Sequence, residues 1–255
     1  MTIPGDLPVP VRLYRLGDEP RPLIVYVHGG GFVFGDLDSH DRTCRRLALH
    51  AKAVVLAVDY RRAPENPAPA AVDDVVRVLD WVMTKQKELG AVNEPPALAG
   101  DSAGGLIAIV AANRMVEAGI PLKALLLICP NADLTLSQPS VQQNSSGWGL
   151  DKAELSWFVD QWVPDMNTGK LSRFSPLHME FGPLPTTVIA TAEHDPLHDE
   201  GQSLARRLRA SGIDARLVPN SGLVHGYLSL DTVSPAAAEA GTGLMKSFGS
   251  VLREA

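Results

Sequence analysis

Short apolar runs alternate with longer amphipathic segments along this chain of 255 residues. The apolar runs of strand length occupy residues 23–27, 53–58, 97–99, 124–129 and 187–191, and residues 9–16 and 215–220 are typical of further strands. Buried strands that alternate with helices form a mostly parallel sheet with helices on both faces. The pattern therefore predicts an α/β fold, and one domain over residues 1–255 is the economical interpretation.

Helical periodicity is clear in several segments between these runs. It is carried by Val72, Val75, Val76, Leu79 and Val82, by Leu204 and Leu208, and by Leu244, Phe248, Val251 and Leu252. Apolar residues at this spacing lie on one face of a helix and pack against a sheet. These segments are the predicted covering helices.

Residues 131–181 differ in composition from the rest of the chain and have the size of a lid or cap. Residues 142–149 are polar and rich in glycine, and Asp151 then precedes an amphipathic segment with Glu154 in its first turn, which is typical of a helix start. Three of the four tryptophans, Trp148, Trp157 and Trp162, lie in this insertion. Aromatic side chains are more often core than pocket walls, so we expect them to pack the insertion onto the sheet.

Charge and cysteine content exclude several classes of function. The formal net charge is −6, and the basic residues form no continuous face, so a nucleic-acid partner is not expected. No signal peptide and no apolar stretch of about 18 residues is found, which predicts a soluble, cytoplasmic protein without a membrane partner. The two cysteines, Cys44 and Cys129, are expected to be free thiols.

The segment GDSAGG at 100–105 carries the strongest chemical signal. It has the form G-x-S-x-G and stands where an apolar run gives way to a helical segment. In this context the turn is sharp, its neighbours must be small, and the serine hydroxyl is presented above the sheet. Ser102 is therefore the candidate nucleophile.

A serine hydroxyl needs a base to remove its proton and a carboxylate to orient that base. Asp195 follows the run at 187–191, and His225 follows the strand predicted at 215–220. The order Ser, acid, His is the order of the α/β-hydrolases, and both residues are expected at the same sheet edge as Ser102. Glu193, Asp199 and Glu200 compete for the acid role, but the position of Asp195 directly after the strand favours it.

The glycines at 29–31 predict an oxyanion hole. They follow the strand at 23–27 directly, and glycine amides can turn toward a bound oxygen. We assign the hole to the N–H groups of Gly30, Gly31 and Ala103, with Gly29 as an alternative donor or as a turn residue. His28 is expected to brace this loop by hydrogen bonding.

Six blocks in order resemble the hormone-sensitive-lipase family of α/β-hydrolases, the bacterial family IV carboxylesterases. They are HGGGF (28–32), YRRAPE (60–65), GDSAGG (100–105), SPL (175–177), DPLHDE (195–200) and VHGY (224–227). The resemblance implies an eight-stranded hydrolase sheet with Ser102 as nucleophile, Asp195 as acid and His225 as base. It also implies that the substrates are small molecules, short-chain acyl esters. They would be hydrolysed through a covalent acyl-enzyme and without a cofactor.

The resemblance also sets expectations for the cap and for assembly. Members of this family usually carry several dozen residues before the HGGG strand, whereas 27 residues precede His28 here. A cap reduced to residues 131–181 is therefore expected, with a more open acyl pocket and tolerance of bulky esters. The terminal strand and helix are elements through which this family often dimerises, so a homodimer stands as an alternative to a monomer.

Other interpretations of the same residues remain open. His194 and His198 have the spacing of a zinc site, but Pro196 between them opposes a continuous helix, so no metal is expected. A ligand-binding protein on a hydrolase scaffold is a second class of function, although the presence of His225 favours an enzyme. Amidase, lactonase, deacetylase and acyltransferase chemistry would use the same triad and oxyanion hole.

Overall fold

Residues 1–5 and 7–254 are described by a computed structural model of the chain. In this part of the chain the strands are β1 (Thr2–Ile3), β2 (Val9–Tyr14), β3 (Leu23–Val27), β4 (Val54–Val58), β5 (Ala97–Asp101), β6 (Leu125–Ile128), β7 (Thr187–His194) and β8 (Ala215–Val224). They form one eight-stranded sheet in the order β1-β2-β4-β3-β5-β6-β7-β8. The pairs β1–β2 and β2–β4 are antiparallel and the other pairs are parallel, which confirms the α/β prediction.

Helices cover both faces of the sheet. They are α1 (Asp41–Ala51), α2 (Ala70–Leu89), α3 (Ala103–Glu117), α4 (Pro139–Gln143), α5 (Lys152–Trp162), α6 (Thr168–Phe174), α7 (His198–Ala210) and α8 (Pro235–Val251). The periodic segments of the sequence correspond to α2, α7 and α8. The helix α1 was not predicted, because its buried face is built from weakly apolar residues such as Thr43, Cys44 and Ala48.

The core has two layers, one on each face of the sheet. Successive side chains of a strand point to opposite faces, so the fully buried strand β3 contributes to both layers. Val25 packs on the side that holds Leu79 of α2 and Leu106 of α3. Tyr26 packs on the side that holds Leu47 of α1 and Phe248 of α8. The continuous apolar runs of the sequence are explained by burial on both faces.

The insertion at 131–181 contains α4, α5 and α6. Asp151 and Glu154 form the reciprocal hydrogen bonds of a capping box at the start of α5, as their spacing predicted. Trp162 at the end of α5 is fully buried and stacks on Phe32 with 4.3 Å between ring centroids, which packs the insertion onto the loop after β3. Trp148 and Trp157 are 39% and 46% exposed and do not serve as core.

Both cysteines are buried free thiols, as predicted. Within residues 1–5 and 7–254, no helix combines the length and the apolarity that a membrane span requires.

Candidate active site

Ser102 lies in a strained turn between β5 and α3. Its φ of +53° and ψ of −123° are values that a residue with a side chain rarely adopts. The turn is held by its neighbours, since the Ser102 amide N–H donates to the carbonyl of Ile128 at 2.8 Å and the Gly105 amide N–H donates to the Ser102 carbonyl at 3.0 Å. Strain maintained in this way is typical of a functional position and lifts the hydroxyl above the sheet.

Two glycines of the GDSAGG segment allow this turn to form. A Cβ at Gly104 would strike the carbonyl oxygens of Val27 and His28, and a Cβ at Gly100 would strike the carbonyl of Gly104. Any side chain at these positions would push α3 away from β3 and β5. The small residues are therefore required by the close approach of backbone to backbone.

His225 lies between Ser102 and Asp195 and is within hydrogen-bond distance of both. The distance from His225 Nε2 to Ser102 Oγ is 2.9 Å, and the distance from His225 Nδ1 to Asp195 Oδ2 is 2.8 Å. Asp195 is fully buried, and its other oxygen accepts a hydrogen bond from the amide N–H of Leu197 at 2.8 Å. Parallel strands β5, β7 and β8 end at one edge of the sheet, which brings these three distant residues together.

The electrostatics of His225 are set by Asp195. Burial alone would lower the pKa of His225, but the charge of Asp195 and its hydrogen bond outweigh burial and raise the pKa above its usual 6.5. A base with a raised pKa accepts a proton more readily. This direction suits a residue that takes the proton from a serine hydroxyl.

The other candidate acids bind elsewhere. Their carboxylates accept hydrogen bonds from backbone amides: Glu193 from Gly222 (2.7 Å), Asp199 from Ser140 (2.9 Å) and Glu200 from Ala132 and Asp133 (2.7 and 2.9 Å). Glu200 is fully buried, and burial raises its pKa well above the usual range. The carboxyl group of Glu200 thus anchors the chain after β6.

Gly30, Gly31 and Ala103 are arranged around the same cavity as Ser102. Gly30 and Gly31 have φ values of +119° and +59°, and among the described residues neither amide N–H donates a hydrogen bond to a protein acceptor. Ala103 is the first residue of α3, where helical N–H groups have no partner within the helix. Free amides at the cavity are what an oxyanion hole requires.

The assignment of Gly29 as an alternative donor is wrong. Its amide N–H donates to Asp101 Oδ1 at 3.0 Å and is not available to a substrate oxygen. Asp101 Oδ1 also accepts from the hydroxyl of Tyr26 at 2.6 Å, and Asp101 Oδ2 lies 3.3 Å from His40 Nε2. Gly29 therefore shapes the turn, and its amide joins the glycine loop to Asp101, the residue before Ser102.

His40 and Asp101 form a pair that the sequence did not indicate, because His40 has no recognisable motif around it. Burial would lower the pKa of His40, but Asp101 outweighs burial and raises it. Burial likewise opposes ionisation of Asp101, but His40 dominates and lowers the pKa of Asp101 to about 2. His28 behaves as predicted: its Nδ1 lies 2.7 Å from the carbonyl of Gly29, within the loop it braces.

The zinc interpretation of His194 and His198 has no geometric support. His194 ends β7 and stacks on Trp148 at 4.2 Å, whereas His198 begins α7 and binds the carbonyl of Ala192 through Nδ1. Within residues 1–5 and 7–254, the group of side chains close enough to hold a metal ion consists of Cys129, Asp195 and His225. Asp195 and His225 of this group are already joined by the hydrogen bond between Asp195 Oδ2 and His225 Nδ1.

The cavity above Ser102 has a volume of about 240 Å³. Its walls are formed by the glycine loop, by the start of α3, by the loop after β8, and by the insertion, through Leu150, Leu155 and Phe158. Phe158 of α5 lies against Gly31, where an added Cβ would meet its ring. The site thus combines a serine hydroxyl beside an imidazole, amides without a protein acceptor, and an apolar wall.

The chain is similar to known hydrolases over most of its length. Residues 24–229 match the family profile described as the alpha/beta hydrolase fold. The chain is 41% identical over 248 residues to the carboxylesterase NlhH of Mycobacterium tuberculosis, with 94% of this chain and 78% of that protein covered. It is 35% identical over 240 residues to an ethyl acetate hydrolase of Pseudomonas putida, with 91% and 75% covered.

Solved structures give the same result. A hyperthermophilic esterase from the archaeon Pyrobaculum calidifontis superposes with a TM-score of 0.93 at 38% identity, covering 98% of this chain and 84% of that one. The thermostable carboxylesterase EstE1, cloned from a metagenomic library, superposes with a TM-score of 0.94 at 35% identity, covering 100% and 88%. The chain belongs to the α/β-hydrolase family, in its hormone-sensitive-lipase-like branch.

Proposed function

We propose that this protein is a serine carboxylesterase that hydrolyses short-chain acyl esters of small alcohols. The observation that carries the proposal is the position of His225, 2.9 Å from Ser102 Oγ and 2.8 Å from Asp195 Oδ2. A protein that only binds ligands has no need of an oriented base beside a strained serine. The names of the related proteins, carboxylesterase and ethyl acetate hydrolase, support the same substrate class.

In the first half of the reaction, Ser102 Oγ attacks the ester carbonyl carbon while His225 Nε2 takes its proton. Asp195 keeps Nδ1 protonated and stabilises the positive charge that forms on the ring. The amides of Gly30, Gly31 and Ala103 stabilise the negative charge on the carbonyl oxygen. The intermediate collapses when His225 passes the proton to the leaving alkoxide oxygen, which gives an alcohol and an acyl-enzyme.

In the second half, a water molecule takes the place of the alcohol. His225 removes a proton from this water as its oxygen attacks the acyl carbon, and the same amides hold the second oxyanion. The C–O bond to Ser102 then breaks, and His225 returns the proton to Oγ. The carboxylic acid leaves, and the resting enzyme is restored without any cofactor.

The substrate range follows from the walls of the cavity. We assign residues 131–181 the role of a cap, since Leu150, Leu155 and Phe158 from this insertion face the nucleophile across the cavity. A volume of about 240 Å³ accommodates a short acyl group together with a small alcohol. The expectation that the acyl pocket is open enough to accept bulky esters stays a prediction.

The proposal is tested with a series of 4-nitrophenyl esters from acetate to decanoate, assayed with the wild type and with Ser102→Ala. We expect kcat/KM to be highest for short acyl chains and to fall by several powers of ten in Ser102→Ala for every ester. Ser137→Ala is a matched control, because Ser137 is a serine of the insertion that binds Asp133 rather than His225. Equal turnover by Ser102→Ala and the wild type would contradict the proposal.

A further inference from the structure

Ser140, the second residue of α4 in the insertion, is joined to the loop after β7 by three hydrogen bonds. Its hydroxyl donates to the carbonyl of Pro196 at 2.7 Å and accepts from the amide N–H of Asp199 at 3.0 Å. Its own amide N–H donates to Asp199 Oδ2 at 2.9 Å. Ser140 is 1% exposed, so these bonds are shielded from water. The insertion is therefore fixed to the residues that follow Asp195.

Asn144, at the end of α4, binds the main chain of the proposed acid itself. Its Nδ2 donates to the carbonyl of Asp195 at 3.1 Å and to the carbonyl of Glu193 at 3.3 Å. Both partners are acceptors, which matches the two hydrogens of a carboxamide nitrogen. Ser140 and Asn144 together form what we call the α4 clamp.

The α4 clamp acts where the sheet stops supporting the chain. Strand β7 ends at His194, and its register with β8 is irregular between Ala192 and His194. Pro196 has no amide hydrogen, so its carbonyl is the only main-chain group of that residue that can form a hydrogen bond. That carbonyl is the one that Ser140 binds. Side chains of the insertion thus hold the chain beyond the last ladder pair.

The orientation of the Asp195 carboxylate depends on the conformation of this loop. Asp195 Oδ1 accepts from the amide N–H of Leu197 at 2.8 Å, and Oδ2 lies 2.8 Å from His225 Nδ1. Because the two oxygens belong to one rigid group, a shift of the chain at Leu197 moves the oxygen that faces His225. A displacement of about 1 Å at a reacting centre can cost roughly a hundredfold in rate.

We propose that Ser140 and Asn144 are positioning residues, and that the α4 clamp holds Asp195 where it orients His225. This inference rests on the proposed esterase function and extends it to residues outside the cavity. The insertion then contributes to proton transfer as well as to the cavity wall. The wall residues Leu150, Leu155 and Phe158 lie elsewhere in the insertion, so the two contributions can be separated by mutation.

The first test measures kcat and KM on 4-nitrophenyl butyrate for Asn144→Ala and Ser140→Ala. We expect kcat to fall by about three- to thirtyfold, the effect of one or two neutral hydrogen bonds. KM should stay near the wild-type value, because the cavity wall is unchanged. Gln143→Ala is the matched control, since it removes the neighbouring carboxamide of α4, which is exposed, and should leave kcat unchanged.

The second test measures the acid limb of kcat/KM in the same variants. Burial opposes the charged form of His225, and Asp195 is the strongest influence that raises its pKa, followed by Asp101. A displaced Asp195 raises this pKa less, so the limb should move to lower pH in Asn144→Ala and Ser140→Ala and stay in place in Gln143→Ala. A variant that merely lowered the fraction of folded enzyme would reduce kcat and leave the limb where it is.

The third test repeats Asn144→Ala in the Asp195→Ala background, where no carboxylate remains to be positioned. The added change should then cost about twofold at most, since residues that act through one another are not additive. The side chain of Asn144 is partly exposed, so its truncation keeps the fold and decides the outcome even where Ser140→Ala does not fold.

Three results would overturn the inference: a wild-type kcat in Asn144→Ala, an acid limb that does not move, or a loss as large without Asp195 as with it. All three leave the esterase function intact, because wild-type turnover is measured in the same assays. Failure of the function itself would instead appear as the absence of Ser102-dependent turnover of every ester.

Discussion

Asp101 Oδ1 accepts a hydrogen bond from the amide N–H of Gly29 at 3.0 Å, which joins the end of β5 to the loop after β3, 72 residues away in the chain. Asp101 directly precedes Ser102, the proposed nucleophile, and Gly29 precedes the two glycines proposed as oxyanion donors. The same carboxylate binds the hydroxyl of Tyr26 and lies beside His40. The distance between Ser102 and the amides of Gly30 and Gly31 thus depends on one half-buried carboxylate.

This contact predicts that Asp101 is a positioning residue. Asp101→Ala removes both acceptor oxygens and frees the glycine loop, so kcat should fall by about ten- to a hundredfold while KM changes little, because the lost interactions act on the transition state. Asp101→Asn keeps one carbonyl acceptor and should lose less. Steady-state kinetics on 4-nitrophenyl butyrate measure both effects.

The control for this prediction is Asp38→Asn, which removes the charge of an exposed aspartate that pairs with Arg12. It should leave kcat unchanged. A wild-type kcat in Asp101→Ala would show that the glycine loop holds its position without the carboxylate.

The pH dependence of activity should follow His225. The base must be neutral to accept a proton, and although burial opposes its charged form, Asp195 raises its pKa above 6.5. Activity should therefore fall as the pH decreases through a value above 6.5, measured as the acid limb of kcat/KM. In Asp195→Asn this limb should move to lower pH, with a loss of kcat of about four powers of ten. An acid limb at the same pH in both proteins would assign the titration to another group.

Ser102 and His225 should behave as one unit. Each single variant, Ser102→Ala and His225→Ala, should lower kcat by several powers of ten, because either change removes the proton transfer on which attack depends. The double variant should lose little more than either single one. Losses that multiply in the double variant would mean that the two residues act independently. Single-turnover kinetics with a 4-nitrophenyl ester provide the measurement.

Stability should respond to Glu200 in a pH-dependent way. Burial raises the pKa of Glu200 well above 4.5, so the folded state favours the protonated carboxyl group. The stability that this protonated group contributes is lost as the pH rises through the pKa of the folded state. Glu200→Gln keeps an acceptor for the amides of Ala132 and Asp133 and cannot ionise. Its melting temperature should exceed that of the wild type at high pH by about 2–4 °C, and the difference should shrink toward pH 4.5.

Glu200→Ala is the matched comparison, because it removes the acceptor as well as the charge. It should lower the melting temperature at every pH. A constant difference between Glu200→Gln and the wild type from pH 4.5 to 9 would show that Glu200 does not titrate as its burial indicates.

The sequence predicted those parts of the site that depend on backbone geometry. Ser102 lies in a motif whose glycines are required by local sterics, and Asp195 and His225 each follow a parallel strand. The carboxyl ends of such strands meet at one edge of a sheet, so pattern and chain order were sufficient to place all three residues.

The parts that the sequence missed depend on side chains that meet across the fold. His40 reaches Asp101 from 61 residues away, and no periodicity or motif marks either residue as a partner of the other. The donation from Gly29 to Asp101 was missed for the same reason, so the sequence left Gly29 open as either a turn residue or an alternative donor.

Labelling of Ser102 tests the central claim most directly. The protein is treated with one equivalent of a 4-nitrophenyl alkylphosphonate, and the release of 4-nitrophenol, the loss of esterase activity and the mass of the modified peptide are measured together. We predict one phosphonyl group per chain, on Ser102, formed in step with the loss of activity and absent in His225→Ala on the same timescale. Full loss of activity with the label on another residue, or an active enzyme that carries the label on Ser102, would contradict the account.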